Sequence, residues 1–348
     1  MNPWHPRRLN RGVRNYLIIV ALSAIAGAFV PGPAQTAPPQ HVERLPLTHV
    51  ADIPLPGRPT RLDYESYDPG RHLLFIAHLG DGEVIVVDVN ASRVIARIAG
   101  VSSVHGVLAV PALQRVYASA TGTDEIVAID AATLKIVARM PGGRYPDGIA
   151  YAPDVHKLYV SDETGETETV VDARSNRRIA TIPLGGEVGN TQYDPQSRHI
   201  FVNVQTRNEL VEIDPASDRI VGRFALAGAA HNHGLLIDPR ERLAFIACQD
   251  NDKLLVFDMV ARHVVRSFDI GKDPDVLAFD PVLNRLYVAG EAGIVSVFSI
   301  QGSTVTKAGE GRLGPNAHVV ALDPDTHRSY FPLKNVDGHP VLRVMAPR

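Results

Sequence analysis

The sequence predicts an all-β protein, a seven-bladed β-propeller of four-stranded blades, on three observations. Proline recurs at Pro69, Pro111, Pro153, Pro195, Pro239, Pro281 and Pro324, in steps of 42, 42, 42, 44, 42 and 43 residues. The text around each proline repeats: apolar alternation, a Pro turn, a few polar residues, then an aromatic-centred apolar run. No long stretch has helical periodicity. Self-similarity at this period is the signature of one four-stranded blade per repeat, and seven copies fit.

The third repeat shows the elements in order. Residues 147–152 alternate as the innermost strand and end at Pro153-Asp154, a turn in which Pro pre-sets φ. Residues 157–161 form the second strand, 168–171 the third and 178–184 the outermost, before Gly185-Gly186. β-Branched and aromatic residues fill the runs, and Gly, Asp, Asn and Pro fill the joints. One second-strand position is aromatic in all seven repeats: Phe75, Tyr117, Tyr159, Phe201, Phe245, Tyr287 and Tyr330. Large rings there are expected to pack between neighbouring blades. Asp88, Asp130, Asp172, Asp214 and Asp258 each open the turn after the third strand, where a carboxylate can accept from the backbone two residues on. The last repeat has room for three strands only. Residues 48–57 read as an outermost strand, so the N-terminal segment is expected to complete the seventh blade and close the ring.

Residues 1–37 read as a secretory signal peptide and 38–348 as a single propeller domain. Arg7, Arg8, Arg11 and Arg14 precede the apolar run 16–30, and small residues follow that suit cleavage after Ala34 or Ala37. The run is short for a membrane span, so the mature chain is expected to have none and to be periplasmic or extracellular. Arg7-Arg8 leaves Sec and twin-arginine export both open. Without the four leader Arg, 31 basic side chains face 38 acidic ones, a balance of −7. That balance argues against a nucleic-acid partner, which needs clustered Lys and Arg. The lone Cys248 excludes an intramolecular disulfide and, inside LAFIAC, reads as a small buried hydrophobe.

Tyr159-Val160-Ser161-Asp162 and Tyr287-Val288-Ala289-Gly290 resemble the tetrapeptide that names the YVTN-repeat β-propeller family. Tyr117-Ala-Ser-Ala and Phe201-Val-Asn-Val are poorer copies, and the resemblance covers most of residues 45–346. It implies an exported seven-bladed propeller. Members include surface-layer proteins and one that binds DNA, a role the acidic balance here disfavours. Related propeller families include lactonases and lyases, but fold analogy assigns no reaction.

Chemistry is expected where the repeats differ from one another. Six residues before each proline, at the start of the innermost strand, stand Asp63, His105, Asp147, Gly189, His233, Asp275 and His318. Three His and three Asp share one register in a chain with only 14 His in 348 residues. Asn190, His231 and Asn232 lie beside it. His105, His233 and His318 fall on the second, fifth and seventh blades, nearly a trigonal array, and are the candidate metal ligands. Iron, zinc and copper all suit imidazole. Asp63, Asp147, Asn190, His231, Asn232 and Asp275 are the candidate ligand-binding groups, the carboxylates serving either a cationic ligand or the imidazole tautomers. A wet channel lined by mutually paired His and Asp is the simpler alternative, and a one-residue slip would turn the ring into the blade interface.

HExxH, a phosphate-binding Gly-rich loop and G-x-S-x-G are all missing. The loops HLGDGE, SDETGETE and CQDNDK should lie on the face that carries the ring, and the acidic stretch Asp162, Glu163, Glu166, Glu168 reads as solvated. Two functions follow. One is an exported module that binds a small ligand, a metal ion or a protein at the upper channel mouth. The other is a metal-dependent hydrolase, lyase or oxygenase using the His/Asp ring.

Overall fold

A computed structural model of the chain describes residues 44–348; the leader expected at 1–37 lies outside the described residues. The described chain forms seven four-stranded antiparallel sheets arranged as a seven-bladed β-propeller. Blades 1 to 6 occupy residues 65–99, 104–141, 146–183, 188–225, 232–269 and 274–312, each running from its innermost to its outermost strand. Blade 7 consists of Ala321–Asp323, Arg328–Val336 and His339–Pro347, and its fourth strand is the N-terminal Leu47–Pro54. That strand pairs antiparallel with His339–Pro347, from Leu47 opposite Pro347 to Pro54 opposite Val341. Arg343 adds an ion pair to Asp52 across the seam, at 2.6 Å. The ring is therefore closed as expected. No helix among the described residues is long and apolar enough to cross a membrane.

The apolar core divides into seven clusters, one at each blade–blade interface. The seven second-strand aromatics all lie in it, none more than 4 % exposed. The turn aspartates behave as their positions predict: Asp88 accepts from Ala91 N–H at 2.9 Å, and Asp172 from Arg174 and Ser175 N–H at 2.9 and 2.8 Å. Cys248 is buried, and burial pushes its thiol up to about 11.

Two sets of bulges shape each blade. The outermost strand carries one unpaired residue in every blade: Val50, Ile95, Val137, Ile179, Val221, Val265 and Ala308. A bulge twists a free edge away from pairing with another sheet. At the other side of the blade, pairing between the first two strands breaks at the start of the innermost strand in blades 2 to 6. The residues inside those breaks include His105, Asp147, Gly189, His233 and Asp275. The inner bulge is what re-aims the ring residues, so the alternation of the strand does not dictate where they point.

Candidate functional site

The inner bulges bring neighbouring backbones close together around the axis. A Cβ on Gly106 would lie 2.0 Å from the Asp147 carbonyl oxygen, and one on Gly234 2.0 Å from that of Asp275. The position after the ring residue must therefore be small in those blades. In blade 1 it is Tyr64 and in blade 4 Asn190, and these two meet across the axis: the Tyr64 hydroxyl donates to Asn190 Oδ1. Tyr64 thus spans the channel and forms the floor of a cup.

The cup has a volume of about 530 Å³, and nearly every side chain lining it carries a polar group. Asp63, His105, Asp147, His233 and Asp275 line it, with Arg61, Tyr64, Tyr145, Glu163 and Gln249; Leu79 is its one aliphatic side chain. Leu79, Glu163 and Gln249 come from the hairpin loops after the second strands, which therefore share the ring's face.

Two cations are built into the wall. Arg61 Nε donates to Asp63 Oδ2 at 2.8 Å, its Nη1 to Glu291, and its Nη2 stands 3.9 Å from Asp275. His233 faces Gln205 Oε1 through Nδ1 at 3.2 Å and Asp275 Oδ1 through Nε2 at 3.2 Å. Gln205 donates its own N–H to Val188 O, so its oxygen accepts and His233 Nδ1 carries a proton. Burial alone would lower the His233 pKa, but Asp275, Asp147 and Glu163 outweigh it and raise it to about 9. His233 is an imidazolium near neutral pH, its Nδ1 donating to Gln205 and its Nε2 facing both the Asp275 carboxylate and the Tyr64 hydroxyl.

Two carboxylates are left without a cation. Among the described residues, Asp147 and Glu163 enter no ion pair, and Asp147 Oδ1 is buried without a hydrogen-bond partner. Burial pushes Asp147 up to about 7, with Asp63 and Asp275 adding to the shift and His233 opposing it. Glu163 rises to about 7 through burial and then the charge of Asp147. Asp275 goes the other way: burial would raise its pKa, but the His233 hydrogen bond and the nearby cations hold it below the usual carboxylate range.

The three ring imidazoles are not brought together as one ligand set. His105 donates from Nδ1 to Ser103 O at 2.9 Å, and its Nε2 accepts from Tyr145 O–H at 3.1 Å. His233 is occupied by Gln205 and Asp275. His318 sits behind the wall, 0 % exposed, donating from Nδ1 to Asn316 O at 3.0 Å. Its Nε2 has no hydrogen-bond partner and lies 3.9 Å from Asp275 and 3.8 Å from Glu291. That imidazole and those two carboxylates are close enough to share an ion, their ligand atoms all within 4.8 Å.

The other expected binding residues divide. Asn190 supports the floor through Tyr64. His231, part-buried near the rim, reaches Gln249 Oε1 at 3.3 Å and Glu187 at 3.8 Å. Asn232 is fully buried and donates to Asn203 Oδ1 and Glu209 O, both at 3.0 Å, so it joins blades 4 and 5. The acidic stretch of blade 3 needs correction. Asp162 and Glu168 are both 0 % exposed, and Asp162 accepts from Gly143 N–H, Thr167 and Thr169 at 2.7–2.8 Å. Of the four, only Glu166 is exposed, and Glu163 lines the cup. Arg61, Tyr64, Glu163 and Glu291 were not singled out by the ring register. The one signal available was the break in repeat text at Tyr64, where blades 2, 3 and 5 place Gly.

No family model matches this chain, and no curated protein does either. Solved structures do. A chain of Kuenenia stuttgartiensis hydrazine synthase aligns over 88 % of this chain and 99 % of its own, with TM-score 0.71 and 16 % identity. The RRP9 WD40 repeats align over 87 % and 100 %, with TM-score 0.74 and 10 % identity. A chain of the Mitotic Checkpoint Complex aligns over 93 % and 98 %, with TM-score 0.73 and 14 % identity. These are likenesses of fold alone.

Proposed function

We propose that this chain is an exported propeller of YVTN-repeat type whose axial cup binds a small, polar, positively charged ligand of the organic amine class. The observation that carries this reading is the pair Asp147 and Glu163. Every other acidic group named in the cup already has Arg61 or His233, whereas these two have neither. A ligand ammonium between them would supply the missing charge and draw both pKa values down. The many hydrogen-bonding groups among the lining side chains favour a polar guest.

Calorimetric titration with a small diamine tests this. Binding should strengthen by up to about tenfold between pH 6 and pH 8, as the carboxylates lose their protons near 7. It should vanish in the double variant Asp147→Asn, Glu163→Gln. Equal binding of an uncharged analogue, or no binding of any amine, would sink it. A lysine-bearing segment of a protein partner meets the same chemistry, and binding confined to peptides would select it. Sequencing the mature N-terminus tests export, with Gln35 or Pro38 expected first.

A second reading, a metal-dependent enzyme, rests on the unpartnered Nε2 of His318. Asp275, Glu291 and His318 would hold the ion, a donor set that suits zinc or iron, and the ion would supply Lewis acidity. Stoichiometric metal in untagged protein, lost on His318→Asn, would favour it.

A further inference from the structure

Blade 1 holds a second constellation, outside the cup, in the hairpin between its second strand Leu73–His78 and its third strand Glu83–Asp88. In blades 2 to 6 the residue ending the second strand is Ala120, Asp162, Val204, Cys248 or Gly290, so the scaffold does not require a His at position 78. Glu83 does belong to the scaffold: its pair with Arg97 recurs as Glu125–Arg139 and Glu209–Arg223. His78 and Asp81 are additions to that pair.

His78 is 0 % exposed. Its Nε2 lies 3.0 Å from the Thr60 hydroxyl oxygen and 3.2 Å from the Arg58 carbonyl oxygen, which can only accept; with Nε2–H donating to that carbonyl, Nδ1 presents a lone pair. Nδ1 has no hydrogen-bond partner and faces Glu83 Oε1 at 3.6 Å and Asp81 Oδ2 at 3.8 Å. These distances are too long for hydrogen bonds, and a buried lone pair facing two carboxylates is unfavourable without a cation between them. They are close to the spacing of roughly 3.4 Å between donors around a tetrahedral ion with bonds of about 2.1 Å.

The surroundings fit the same role. A ligating imidazole commonly donates its other N–H to a carbonyl, and ligating carboxylates are themselves held by hydrogen bonds. Arg58 donates to Asp81 from Nε to Oδ1 at 2.7 Å and from its backbone N–H to Oδ2 at 3.0 Å, and Arg97 holds Glu83 Oε1 at 2.8 Å, while Oδ2 and Oε1 both face His78 Nδ1. A Cβ on Gly57 would lie 2.5 Å from Asp81 Oδ2 and 3.0 Å from His78 Nδ1, so only glycine leaves space beside the donors.

We propose that His78 Nδ1, Asp81 Oδ2 and Glu83 Oε1 form a binding site for one divalent transition-metal ion of the zinc class. The site is independent of the cup and of its His318 set.

The test is zinc binding to the untagged mature chain, freed of metal by a chelator and titrated against a chromophoric competitor. One zinc per chain is expected, with affinity at least about tenfold weaker in Asp81→Asn and in His78→Gln and unchanged in His318→Asn. Asp81→Asn carries the test if His78→Gln does not fold. Imidazole nitrogen NMR should show His78 as the Nε2–H tautomer, with its Nδ1 signal shifting when zinc is added. Absence of stoichiometric binding, unchanged affinity in Asp81→Asn, or an imidazolium at His78 at pH 7 would overturn the proposal. Loss of zinc only in His318→Asn would assign the ion to the cup instead.

Discussion

Asp147 and His233 lie in one cup, yet their charges respond to opposite balances. For Asp147 burial dominates and the pKa rises to about 7; for His233 the carboxylates dominate and it rises to about 9. A raised folded pKa means the protonated form is favoured on folding. The contribution of Asp147 is thus fully present below its unfolded value near 3.8 and is lost as pH rises through about 7. Asp147→Asn, which copies the neutral acid, should be close to the parent in stability at pH 4. It should be more stable by up to about 4 kcal/mol at pH 8, read from urea unfolding at the two pH values. A gain of equal size at both pH values would contradict the burial argument. The His233 contribution is present below 6.5 and lost as pH rises through about 9, so the parent should weaken further in alkali.

Strand elements here are defined as much by their breaks as by their pairing. In blades 2 and 5 the inner bulge needs glycine after the ring position, because the next blade's backbone is so near. Gly106→Ala should therefore destabilise by about 3 kcal/mol, read from urea unfolding. The outer bulge gives the opposite expectation. Val137 is 48 % exposed and unpaired, so Val137→Thr should stay within about 0.5 kcal/mol of the parent. Deleting Val137 is a different matter. It would join Ala138, opposite Ala128, directly to Ile136, opposite Ile129, so register and faces persist while the edge loses its bulge; the unfolding midpoint should change little and self-association on size-exclusion chromatography should rise.

For the whole molecule, stability depends on closure. Each of the seven core clusters is shared by two blades, so no blade buries its apolar face alone. The seam between blades 7 and 1 contains Ile53 and Leu55 from the N-terminal segment beside Leu342 and Val344 from the last strand. Removing residues 38–56 would strip this edge and expose the strand His339–Pro347 to pairing with other chains. Aggregation is expected on size-exclusion chromatography; a monodisperse, cooperatively folded product would show that the segment is dispensable.

The architecture was legible in the sequence because its determinants are local and repeated. Proline turns, second-strand aromatics and turn aspartates each act within a few residues, and seven copies make the pattern unambiguous. Even the closing strand could be read, since residues 48–57 match an outermost strand in text. Register also placed Asp63, His105, Asp147, His233 and Asp275 together at the cup. What a register could not give was which of them pair. Arg61 reaches Glu291 from 230 residues away and Tyr64 reaches Asn190 from 126, contacts that exist only because the ring closes. Contacts between blades also raise the His233 pKa, through Asp275, Asp147 and Glu163, and leave Asp147 and Glu163 outside any ion pair among the described residues. Local pattern set the chain's course through the blades, whereas charge and ligation depend on groups from different blades brought within a few ångströms of each other.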